Sequence, residues 1–184
     1  MPSKRKSPTN AKKTARFKAA IDASDGATVD KMLVAGFRVD TPFDSGRTPL
    51  MAAAGNGDIA MVERLLGAGA AIRETNTKGQ DALYFALAPD FVGINRAAAH
   101  ADHDGVALLL LNRGARVGAV HLMLMIHHCE STFIERTLGA LRTPLDRTVI
   151  EEGVRMAKAS ATYESSVSDE CLKASIHRLV HDRR

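Results

Sequence analysis

A chain of 184 residues with 45% hydrophobic side chains is long enough for one packed domain or a short repeat array. Only 4% of the residues are aromatic, tryptophan is absent and alanine is heavily used, which favours helices over sheet. Residues 1–18 hold seven cations and no acid, so the other 18 cations face all 21 acids for a net of −3; the formal +4 describes a tail, and a uniformly basic nucleic-acid binder is excluded.

In chain order, residues 1–13 (MPSKRKSPTNAKK) mix Pro, Ser, Thr, Asn and Lys without apolar periodicity, and are expected to form a solvated, disordered basic arm. The arm has no apolar h-region, so it does not read as a secretory signal. The longest apolar run, Val106–Leu111, is far too short to cross a bilayer. Cys129 and Cys171 lie far apart without a CxxC spacing and read as reduced thiols. Together these features predict a cytoplasmic protein, or a nuclear one in a eukaryote, where Lys4–Lys6 would serve import.

Helical signals begin near Phe17, in a first unit over about 14–43 that carries Ala20, Leu33 and Gly36, with Ser24 at the mid-unit turn. The second unit, 44–78, contains GRTPLMAAAGNGDIAMVERLLGAGA. There Thr48 is an N-cap and Pro49 occupies the first helical position, where a missing N–H costs nothing. Gly57 ends that helix and Asp58 caps the next, whose apolar face is Met61, Val62, Leu65 and Leu66 before Gly69 ends it. A third unit, 79–117, opens at Asp81, is interrupted by an insertion over 88–101, and resumes at HDGVALLLLNRGA. The context of Gly69 lies 33 residues after that of Gly36, and it returns at Gly114 once the extra residues are discounted. Two fainter helical units follow, about 118–142 with a Thr132/Glu135 capping box and 143–184 with a Thr143-Pro144-Leu145 start.

The second unit resembles an ankyrin repeat, through Gly46, Thr48, Pro49, Leu50, Ala53, Gly57, Leu65, Leu66, Gly69 and Ala70. The resemblance extends over about 14–117 and implies an all-α, ankyrin-type solenoid of helix-turn-helix repeats with short hairpin-like fingers. It also implies a non-enzymatic module that grips another protein with its concave face of finger tips and first helices, as an inhibitor, antidote or adaptor. Carried over by position, the partner-binding residues are Asp44, Ser45 and Arg47 in one finger and Glu74, Asn76, Lys78 and Gln80 in the next. Met51 and Tyr84 join them from the inner helices, where both replace the family's usual histidine. Phe91, Ile94 and Arg96 join them from the insertion, since long loops inside compact units are commonly functional, the apolar residues docking either on a partner or on the protein's own helices. The chain is expected to be monomeric by itself and to have no membrane partner.

Catalytic signals are weak. The glycines at 55–57 follow a helix and lack a Lys-Ser/Thr partner, so they read as helix ends and not as a phosphate cradle. His100 and His103 flank Asp102, and His127, His128 and Cys129 cluster, yet neither group has paired metal-ligand spacing. No nucleophile or metalloprotease motif is present, so no catalytic residue, metal or cofactor is assigned. The alternative reading is binding of nucleic acid or an acidic complex through Lys4, Arg5, Lys6, Lys12 and Lys13. A third is a small enzyme or metal protein that uses the histidines.

Overall fold

A computed structural model of the chain describes residues 8–88, 101–127, 136–137, 139, 141 and 145–161. Among these residues regular structure is entirely helical. Each helix begins and ends for local reasons. Helix α1 (Pro8–Asp22) buries Phe17, Ala20 and Ile21 and stops at Ser24, which takes φ +54° where the other units carry glycine. Asp25 then caps α2 (Gly26–Val34), its carboxylate accepting the Thr28 N–H at 3.0 Å. Thr48 caps α3 (Pro49–Gly55), Asp58 caps α4 (Ile59–Gly67) and Asp81 caps α5 (Ala82–Leu87), each accepting the N–H three residues on. Helices α6 (His103–Asn112), α7 (Ala119–His127) and α8 (Arg147–Ala161) complete the described elements.

The repeat is visible as hydrogen bonds. At Gly36, Gly69 and Gly114 the glycine N–H reaches the third carbonyl back (2.9, 3.0 and 3.0 Å) and the next residue reaches the fifth (2.9 Å in each case). All three glycines have φ between +83° and +94°. This is the Schellman closure, and it satisfies the last carbonyls of each second helix the same way three times.

The chain divides into two compact units, residues 1–106 and 107–184. In the first, α3 is the centre and packs on α1, α4 and α5. Every residue of α3 is buried, and its run of Ala52, Ala53 and Ala54 lets neighbouring backbones approach closely. Leu50, Met61, Val62, Leu65, Leu83 and Phe85 fill the space around it, each such side chain contributing about 1.5–3 kcal/mol by leaving water. In the second unit α7 packs on α8, with Leu122, Ile126 and Ala157 in the core and Val117, Leu145, Ile150 and Val154 against them. A Cβ on Gly153 would lie 2.9 Å from Leu122, so the bare backbone there sets how closely α7 and α8 meet. Met125 is buried and Met123 packs against the same core, consistent with a filling role.

One expectation is revised. Residues 8–13, read as part of a disordered arm, belong to α1, whose first turns show no periodicity because Asn10, Ala11, Lys12 and Lys13 are all exposed. After 117, the described helices α7 and α8 pack on each other. The Thr132/Glu135 capping box, the last helix near Ser168–His181 and the insertion residues Phe91, Ile94 and Arg96 lie outside the described residues.

Candidate functional site

The two segments that precede α3 and α5 fold as tight projecting turns. In the first, the Phe43 N–H donates to the Arg47 carbonyl at 2.8 Å around a 3-10 turn at Asp44–Gly46. Ser45 adopts φ +61° and Gly46 +75°, which turns the Asp44 and Ser45 side chains out into solvent. In the second, Asn76 organises the loop around itself. Its Oδ1 accepts from the Lys78 and Gln80 N–H groups at 2.9 and 3.0 Å, and its Nδ2 donates to Gln80 Oε1 at 2.9 Å. The Asn76 N–H also donates to the Gln80 carbonyl at 2.9 Å, closing a hairpin-like turn with Lys78 exposed at its tip.

The fingers are joined to one another. Thr77 Oγ1 donates to the Ser45 carbonyl at 3.1 Å. Between the same two segments, the Ala71 N–H donates to Asp40 Oδ1 at 3.0 Å. Asp40 and Thr77 were not singled out from sequence. No local motif marks them, because each partner lies a full repeat away.

The residues expected at the site therefore separate into two sets. Asp44, Ser45, Glu74 and Lys78 are exposed and Tyr84 is half-buried, its ring edge-on to Phe85 at 5.8 Å. Asn76 and Gln80 spend their hydrogen bonds on the finger frame. Met51 is 1% exposed, so its expected place on the partner-facing surface is corrected: it lies in the core. Its Sδ accepts the Thr48 N–H at 3.4 Å, while Thr48 Oγ1 accepts the Met51 N–H at 3.3 Å.

Arg47 also departs from a simple finger-tip role. Its guanidinium sits 4.6 Å from the Phe85 ring centroid, and one terminal nitrogen reaches the Met51 carbonyl at 3.4 Å. Burial pulls its pKa below the ordinary arginine value, against an opposing pull from the Asp22 charge. The group stays cationic at neutral pH and is stabilised by the aromatic face. Arg47 thus ties the first finger to α5.

His103 opens α6 and is buried, and the adjacent Asp102 carboxylate accepts the Gly105 N–H at 2.7 Å. Among the described residues no group of three or more His, Cys, Asp and Glu converges as metal ligands. No described helix is long and apolar enough to cross a membrane.

The family model for ankyrin repeats, in three copies, matches residues 16–121, more than half the chain. A search of curated proteins found no match. Ankyrin repeats generally mediate protein–protein interaction and are typically non-enzymatic. With three matched copies, threefold Schellman closures and caps at Thr48, Asp58 and Asp81, the chain belongs to the ankyrin-repeat family.

Proposed function

We propose that the protein is a non-enzymatic binding module that grips a partner protein with the exposed finger tips Asp44, Ser45, Glu74 and Lys78 and with the half-buried Tyr84 behind them. The observation that carries this reading is the division of labour within the fingers. Asn76, Gln80, Thr77 and Arg47 hold the frame through bonds within the chain, while the tip side chains remain exposed. Such a frame lowers the ordering cost of association, because little of the interface backbone has to be fixed on binding. Tyr84 suits the anchor role, since interface energy concentrates in aromatic residues ringed by polar ones. Inhibitor, antidote and adaptor roles share this geometry and differ in what the partner does once held.

The test is an affinity capture from the native source with the full chain as bait, repeated with Asp44→Lys/Lys78→Glu and with Tyr84→Ala. The captured protein should bind the wild type and lose at least about tenfold in affinity to each variant. A partner held equally well by all three baits would overturn the finger reading.

A further inference from the structure

A second surface lies away from the finger tips. A groove of about 470 Å³ opens between α1, α2 and the turn after α2. Ten residues line it: four are cations (Lys13, Arg16, Lys31, Arg38) and none is acidic. All four cations are exposed, and among the described residues none forms an ion pair. The Asp25 carboxylate feels the Lys31 charge and is itself occupied in capping α2.

The floor is apolar and firmly built. Phe37 stacks against the buried Phe17 with ring centroids 4.5 Å apart, and Met32 lies beside it, half-buried. The Gly36 and Phe37 N–H groups close the end of α2, and Thr41 closes the next turn onto the Arg38 carbonyl through both its N–H (3.1 Å) and its Oγ1 (2.8 Å). The carbonyl end of α2 points partial negative charge towards the groove, which would repel an anion. Two things offset it: those carbonyls accept hydrogen bonds from Ala35, Gly36 and Phe37, and Lys31 and Arg38 flank them.

We propose that this groove docks an acidic segment of a partner protein, one that inserts an apolar side chain onto Met32 and Phe37 while its carboxylates face Lys13, Arg16, Lys31 and Arg38. Charge complementarity selects an acidic occupant, and an open groove of this volume accepts one or two of its side chains. A nucleic-acid duplex fits less well. It would carry about one negative charge per 1.7 Å beyond the patch, past a chain whose residues from 19 onward are net −3. The proposal stands independently of the finger-tip reading, because the two residue sets do not overlap.

The test uses the full chain and a fluorescein-labelled peptide alternating Glu with Leu and Phe, followed by polarisation and by amide chemical shifts. The peptide should bind at low salt, weaken as salt rises, and shift the amides of Gly36, Phe37 and Thr41. The triple reversal Lys13→Glu/Lys31→Glu/Arg38→Glu should lower affinity by about tenfold or more, whereas the charge-keeping Lys13→Arg/Lys31→Arg should not. A peptide with Ser in place of Leu and Phe should bind more weakly, and Asp44→Lys/Lys78→Glu should leave affinity unchanged. Because the reversed side chains are exposed, a melting curve equal to that of the wild type identifies a true binding defect. Shifts confined to Asp44–Tyr84, no loss on reversal, or a single-stranded oligonucleotide of equal charge binding more tightly than the peptide would each overturn the proposal.

Discussion

At Met51 a thioether does the work that a glutamate or glutamine does in an ordinary capping box. The helix start pairs Thr48 and Met51 reciprocally, with one strong acceptor (the Thr48 hydroxyl) and one weak one (the Met51 sulfur). Both groups are buried, so no water replaces a lost partner. Met51→Leu keeps the volume and removes the acceptor from the Thr48 N–H; it should destabilise the fold by about 1 kcal/mol in urea titration. Unchanged stability would show that the sulfur contributes packing alone. The contrast also marks what sequence shows at this scale. Thr48, Asp58 and Asp81 were legible as caps because a cap is local, spanning three residues. The seat of Arg47 on Phe85 was not, because it depends on α5, a repeat further along the chain.

Among the elements, the turns between helices are not equivalent, although their glycines look alike in sequence. Gly36 has φ +83° with nothing within 4 Å of an added Cβ. Gly57 has φ +68°, and its Cβ would meet the Asp102 N at 2.9 Å and the Ala101 Cα at 3.0 Å. The Gly57 carbonyl accepts the Asp102 N–H at 2.9 Å, so α6 starts directly against this turn. Gly36→Ala should therefore cost only the left-handed strain, about 1–2 kcal/mol. Gly57→Ala adds a steric clash with backbone and should cost roughly a further 1–3 kcal/mol. Denaturant midpoints of the two variants measure the difference, and equal losses would mean that the approach of residues 101–102 is not tight. The 33-residue echo made Gly36, Gly69 and Gly114 readable as helix ends, but it could not rank them. The crowding at Gly57 comes from Ala101, the last residue of the insertion, and from Asp102 just after it. The early start of α1 was hidden for the opposite reason: its first turns touch no core, so burial never imprinted a period on them.

For the molecule as a whole, charge and helix boundary together decide how the basic N-terminal region should be cut. Reading it as a single arm suggests removing residues 1–13, which takes out Lys4, Arg5, Lys6, Lys12 and Lys13 and leaves 20 cations against 21 acids, a net of −1. That cut enters α1 and takes Lys13 from the groove. Removing only residues 1–7 leaves α1 whole and takes Lys4, Arg5 and Lys6, for a net of +1. Both truncated chains keep Phe17, Ala20 and Ile21, which seat α1 in the core, so both should fold. Because charges outside the groove act through solvent, removing residues 1–7 should lower affinity for the acidic peptide only by a factor of about two or three at physiological salt. Removing 1–13 should lower it about tenfold, because Lys13 acts from the groove wall. Affinity for a partner held by the finger tips should be the same in both chains, since Asp44, Ser45, Glu74 and Lys78 are untouched. Equal peptide loss from the two truncations would place the attraction in residues 1–7 and not in the groove, whereas loss of the finger-bound partner on removing 1–7 would move the principal interface to the basic arm.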